Sequence, residues 1–161
     1  MAITKEDFRR VMSLFTTGVT VITTRLGDEY VGMTANAVTS VALEPMLFLV
    51  CMDTSATTHQ ALDQSGVFVV NILAEGQEDL SRRFAAKRQP GDDQLSGVAY
   101  HLSGSGCPIL DGCLAFLDCR VTAAYPGGDH TIFLGEVQEG GVYNEGQPLV
   151  FYRSRYSRLA R

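Results

Sequence analysis

Six short apolar or β-branched runs recur along the chain, at 19–24, 30–35, 46–52, 67–72, 114–124 and 130–137. Each is followed by a glycine, a proline or a polar turn. Runs of this length, several with two-residue alternation, predict strands rather than helices. Leu26-Gly27-Asp28-Glu29 turns the first run back into the second, and Pro126-Gly127-Gly128-Asp129 does the same for the last two. Strands joined by tight turns predict a mainly β, antiparallel barrel with peripheral helices rather than alternating βαβ units. No GxGxxG follows the first strand, which disfavours a dinucleotide-binding α/β sheet.

The helices are few. Thr4 and Asp7 form a helix start, and Phe8, Val11, Met12 and Phe15 recur at helical spacing, so one face is expected to be buried and Gly18 to end the helix. Ser55 is expected to cap a short helix through Thr58, Ala61 and Leu62 that Gly66 stops. A third helix spans 78–85, with Leu80 and Phe84 on one side, and the polar stretch 87–97 reads as an exposed loop. Gly140-Gly141 and Asn144-Glu145-Gly146 are expected to punctuate two last short strands, 142–143 and 149–152.

One domain spanning 1–161 is expected from the length, and 45% hydrophobic residues suffice for a core. A formal charge of -5 argues against nucleic acid as the partner. No apolar run approaches the roughly 20 residues needed to cross a membrane, and the charged N-terminus has no signal-peptide core, so a cytoplasmic address is expected. Cys51, Cys107, Cys113 and Cys119 form no CxxC pair, so no metal site is expected and the thiols read as small buried residues.

Two polar segments stand out because each abuts an apolar strand. In 33–41, Thr34, Asn36 and Ser40 could hold a heteroaromatic edge and a phosphate, or merely form turns. In 51–59, the hydroxyls of Ser55, Thr57 and Thr58 at a helix start suit an anion, or ordinary capping. A third candidate is Gly127-Gly128-Asp129-His130, which places an imidazole at a strand opening. Arg82, Arg83 and Lys87 form a positive cluster around Phe84 that suits phosphate oxygens or a solvated helix face. No carboxylate pair or Ser–His–Asp pattern argues for hydrolysis.

Taken in order, Thr17-Gly18-Val19-Thr20-Val21-Ile22-Thr23, Gly32-Met33-Thr34-Ala35-Asn36-Ala37, Thr39-Ser40-Val41, Ser55 with Thr57-Thr58-His59, 68–73 and 128–137 cover nearly the whole chain. This ordered set resembles the flavin reductase-like, FMN-binding split-barrel family. It is most similar to the short reductase components of two-component flavin-dependent monooxygenases. The resemblance implies a six-stranded split barrel working as a homodimer, with FMN or FAD near the subunit boundary and NADH or NADPH as hydride donor. It implies that Thr34, Ala35, Asn36 and Ala37 line the flavin ring, mainly through backbone groups. Ser40 and Val41 would hold the ribityl chain, Ser55, Thr57 and Thr58 the phosphate, and Cys51 and Asp53 would flank the flavin. His130 would lie by the nicotinamide, with Arg83, Phe84, Tyr152 and Arg155 as weaker carry-overs. The implied activity is reduction of flavin for a separate monooxygenase, or flavin binding without NAD(P)H activity.

Overall fold

The computed structural model describes residues 1–160. Its helices are α1 (Lys5–Ser13), α2 (Thr57–Ser65) and α3 (Glu78–Ala85). Its strands are β1 (Thr17–Gly18), β2 (Thr20–Leu26), β3 (Glu29–Ala35), β4 (Val38–Leu43), β5 (Met46–Asp53) and β6 (Val67–Ile72), then β7 (Tyr100–Leu102), β8 (Pro108–Leu110), β9 (Ala115–Gly127), β10 (His130–Val142), β11 (Val150–Tyr152) and β12 (Arg155–Ser157). Seven strands make one antiparallel sheet in the order β3-β2-β6-β9-β10-β5-β4, one more than the six expected. The difference is β4: its polar residues read as a strand end and turn, yet they form an exposed edge strand, bulged at Val41 between Ser40 and Ala42.

The sheet coils because alternate residues of each strand need cover. In β5, Phe48, Val50 and Met52 are buried while Leu47, Leu49 and Cys51 are half-buried on the other face. The inward set packs with Ile22, Ala35, Phe68, Val70 and Phe133. Ala35 of β3 thus shares a core with β5, although β3 and β5 are not paired. That unpaired seam splits the barrel. A smaller sheet, β1-β11-β12, ties the C-terminus beside β2 through Thr17↔Phe151.

The helices depart from expectation in two places. α1 begins as read, with a reciprocal cap between Thr4 and Asp7, but its apolar stripe is not buried. Phe8, Val11, Met12 and Phe15 are 48–70% exposed, because the described residues leave that face largely uncovered. The helix stops before Gly18, which lies in β1. At α2 the N-cap is Ala56 and no side chain caps the helix. Ser55 instead gives its hydroxyl to Asp53, 2.7 Å away. Gly66 ends α2 in the left-handed region, as read.

Stretch 87–97 is less exposed than its polarity suggested, since Gln94 and Leu95 are buried. Gln94 accepts from the Gly32 N–H (3.1 Å) and donates to the Gly32 carbonyl (3.2 Å), closing the outer edge of β3 as a paired strand would. Gly140-Gly141 is no strand break: β10 runs through it to Val142. A Cβ on Gly140 would stand 2.8 Å from Leu117 and 2.9 Å from the Phe116 carbonyl, so the glycine permits close strand approach rather than a turn.

Candidate functional site

A cleft of about 530 Å³ opens beside β3, within the usual size for a small-molecule site. Gly32, Met33 and Thr34 form its floor, with Asn36 just beyond the strand. Asp53 and Ser55 to Thr58 form one end. Ser81, Phe84, Lys87 and Arg88, at and after α3, form another wall, closed by Phe151 and Tyr156 of the C-terminal ribbon.

Each wall has a local cause. Because Gly32 turns its N–H and carbonyl outward to Gln94, the two-residue alternation points those of Thr34 outward as well. Gln94 does not reach Thr34, so the edge offers one main-chain donor and one acceptor to the cleft. The Thr34 hydroxyl is not part of that offer, since it donates to the Ser81 carbonyl. The Asn36 amide is likewise occupied, donating to Thr17 Oγ1 at 3.2 Å. Phe84 is buried beside β3, where Gly32 leaves room: a Cβ there would lie 3.1 Å from its ring.

At the opposite end the first-turn N–H groups of α2 have no side-chain cap, and the Thr57 and Thr58 side chains stand beside them. Uncapped donors with the positive end of a helix dipole accept an anion. Asp53 accepts from the Ser55 N–H (2.8 Å) and hydroxyl, and those two bonds hold its carboxyl below the usual range.

His130 is not in the lining of the cleft, but β10 delivers it in register with Asp53, which is. The Asp129 carboxylate lies 2.7 Å from its Nδ1, leaving Nε2 turned away from that pair. The Asp129 carbonyl accepts from both the N–H and the hydroxyl of Thr54, which stitches the β9–β10 turn to the start of the α2 loop.

Of the residues singled out in the sequence, Thr34, Asn36, Asp53, Ser55, Thr57, Thr58 and Phe84 come together in the cleft. Ala35 is buried in the barrel core. Ala37 gives its carbonyl to the Cys51 N–H, and Ser40, Val41 and Cys51 lie on β4 and β5 outside the cleft. Arg83 is held elsewhere, donating to the carbonyls of Gln94 and Ser96 at 2.6 Å each, so it fastens the loop after α3. Tyr152 and Arg155 line a separate small depression, whereas their neighbours Phe151 and Tyr156 reach the cleft. Strand alternation separates those neighbours, but only the pairing of β11 with β1 says which face turns inward. Arg88 and Gln94 were missed, since a polar loop carries no periodicity to place them. Among the described residues no cluster of His, Cys, Asp and Glu could hold a metal ion.

Residues 12–160 match the family model of the flavin reductase like domain. The chain is 44% identical over 158 residues to the NADH-dependent FAD reductase of Streptomyces globisporus, covering 97% of this chain and 86% of that one. It is 40% identical over 155 residues to the reductase component of 4-hydroxyphenylacetate 3-monooxygenase from Thermus thermophilus, covering 96% and 97%. A solved structure of the Streptomyces globisporus C-1027 NADH:FAD oxidoreductase in complex with NAD and FAD fragments superposes with a TM-score of 0.90 at 40% identity, covering 99% of this chain and 97% of that one. With a split barrel, a cleft on its open edge and a matching model over nearly its full length, the chain belongs to the flavin reductase-like family.

Proposed function

We propose that this protein is an NAD(P)H:flavin oxidoreductase that reduces FMN or FAD and supplies reduced flavin to a separate monooxygenase. The observation that carries the reading is one cleft with two matched ends: a bare strand edge at Thr34 and an uncapped helix start at Thr57 and Thr58. A flavin needs both, since its ring edge alternates donors and acceptors and its side chain ends in phosphate. Bound flavin supplies the hydride-accepting ring, and the nicotinamide supplies the hydride. The chain's own part is to hold the ring edge on the Thr34 backbone and the phosphate on the α2 N–H groups. Holding two reactants in register supplies most of what such a transfer needs.

His130 positions the nicotinamide. Its Nδ1 lies 2.7 Å from the Asp129 carboxylate, which orients the ring and leaves Nε2 for the nicotinamide. Steady-state kinetics test the whole reading: NADH and NADPH oxidation without flavin, then with FMN, FAD or riboflavin added. Turnover that rises and saturates with an added flavin supports it. No turnover with either nucleotide, despite flavin fluorescence quenching, would leave a flavin-binding module. For His130→Ala the expected change is a raised KM for NADH, and near-total loss of kcat at saturating NADH would refute the positioning role.

The working unit is a homodimer in this reading. Unlike most monomer surfaces, one chain leaves Phe8, Val11, Met12 and Phe15 of α1 bare, together with Val41, Leu43 and Met46 beside the unpaired edge of β4. A second copy would cover these and close over Ser40, Val41, Cys51 and His130, which one chain leaves beside rather than in its cleft. Light scattering is expected to give twice the chain mass, and a monomer at micromolar concentration would refute it.

A further inference from the structure

The positive cluster around α3 divides into two pairs. Arg82 is bound to Glu78 at 2.7 Å and lies over the Tyr156 ring, and Arg83 is bound to two carbonyls. Lys87 and Arg88 are different, for both line the cleft. Among the described residues no carboxylate lies within ion-pair distance of Lys87. Arg88 is 13% exposed, reaches Glu29 through Nη2 at 2.9 Å, and leaves its buried Nε without an acceptor among the described residues. A guanidinium seldom stays buried with an unsatisfied N–H unless another arrangement satisfies it. Glu29 is 64% exposed and stays solvated if Arg88 turns away from it. The nearby loop carboxylates do not compete: Asp92 accepts from the Gln89 N–H and Asp93 from the Leu95 N–H. The remaining carboxylate of the cleft, Asp53, belongs to the α2 end.

The cleft therefore has two anion-receptive places, one at the α2 N-terminus and one at Lys87 and Arg88. FMN carries one phosphate and satisfies one of them. We infer that Lys87 and Arg88 form an arm that takes the second phosphate of a dinucleotide flavin, so that this chain binds FAD in preference to FMN. The inference rests on the flavin reductase reading above. Tyr156 and Phe151, set edge to face at 5.4 Å on the same cleft, give the adenine an aromatic wall. Arg88 exchanges its single bond to Glu29 for a two-pronged one to phosphate, which uses the idle Nε.

Flavin fluorescence quenching measures the dissociation constants of FMN and FAD for the parent protein, Lys87→Met, Arg88→Met and the double variant, at low and high salt. The expected result is FAD binding weakened about tenfold in each single variant with FMN changed less than twofold. The parent's FAD affinity is also expected to fall more steeply with salt than its FMN affinity. Equal losses for both flavins would overturn the inference, because the arm would then hold the phosphate they share. No loss for either flavin would overturn it too, as would weakened binding of NADPH alone against NADH, which would assign the arm to a 2′-phosphate. If the parent binds neither flavin, the reductase reading itself fails. Lys87 is exposed, so Lys87→Met keeps the test open if Arg88→Met does not fold.

Discussion

Gly135→Ala is the sharpest test of how the barrel holds its functional strand. Gly135 lies in the middle of β10, five residues from His130. A Cβ built there would stand 2.7 and 2.8 Å from two atoms of the Phe68 ring and 2.9 Å from the Cys119 Cβ. Carbon atoms prefer about 3.5–4.0 Å, so each of these contacts is short by most of an ångström. Neither neighbour has room to move, since both are fully buried in the same core cluster. Overpacking a well-filled core costs about 1–3 kcal/mol, and three simultaneous clashes with fixed atoms put this substitution at the upper end, about 3 kcal/mol. For a chain of this length each kcal/mol lowers the melting temperature by about 2–4 °C, so the drop is about 6–12 °C. Urea unfolding at fixed protein concentration is the assay, with an unchanged m-value expected. Gly18→Ala, where a Cβ would meet nothing within 4 Å, is the control. Phe68→Leu in the Gly135→Ala background is expected to recover part of the loss, because two of the three clashes are with the Phe68 ring. A Gly135→Ala protein within about 0.5 kcal/mol of the parent would refute the reasoning.

Two further outcomes follow from the titrating groups. Burial pushes the Cys113 thiol up to about 11 and that of Cys119 up to about 12, and raises Cys107 as well. Thiolates react and thiols do not, so iodoacetamide at pH 8 is expected to spare Cys107, Cys113 and Cys119 in the folded protein and to label all four cysteines after denaturation; native labelling of Cys119 would contradict this packing. The Asp53 carboxyl is lowered by the Ser55 N–H and then by its hydroxyl, so the stability it gives is present above the unfolded value of about 3.9 and is lost as pH falls through the lower folded value. The melting temperature of the parent is expected to exceed that of Asp53→Asn by a constant margin from pH 8 to pH 5, and the gap to close only in stronger acid; a gap that closes already near pH 6 would exclude this origin.

The barrel was readable because its strands carry their own pattern. The β-branched runs of β2 and β6 and the Leu26–Glu29 turn declare themselves locally, and the pairing Thr20↔Ala35 and Thr20↔Ile72 only assembles them. What the sequence hid was decided by neighbours distant in the chain. The polar segment 33–41 suggested a ligand site or turns rather than a strand because Thr39 and Ser40 face outward from an edge, where no burial pattern is imposed. Gly140-Gly141 looked like a break because a glycine that admits Leu117 and the Phe116 carbonyl has the same letter as one that turns the chain. The site divides in the same way. Thr57 and Thr58 were legible as hydroxyls at a helix start, whereas the expected cap from Ser55 failed because the helix opens one residue later, with Ala56 at the N-cap, and Ser55 donates its N–H and hydroxyl back to Asp53.

The apolar stripe of α1 is where local pattern and single-chain structure disagree most, and the disagreement is informative. Phe8, Val11, Met12 and Phe15 keep the spacing of a buried face, and Thr4 and Asp7 cap the helix as firmly as any in the chain. A sequence that specified an exposed helix would place charges on that face, as it does at Glu6, Arg9 and Arg10 on the others. The anchor at its far end is a single backbone bond, from the Arg153 N–H to the Ser13 carbonyl, which ties the helix to the ribbon that carries Phe151 and Tyr156. Whatever covers α1 therefore bears on the wall of the cleft proposed to hold flavin. On the dimer reading, Phe15→Asp is expected to yield a monomer with weakened flavin binding, although Phe15 does not line the cleft. A Phe15→Asp protein that stays dimeric would place the interface elsewhere.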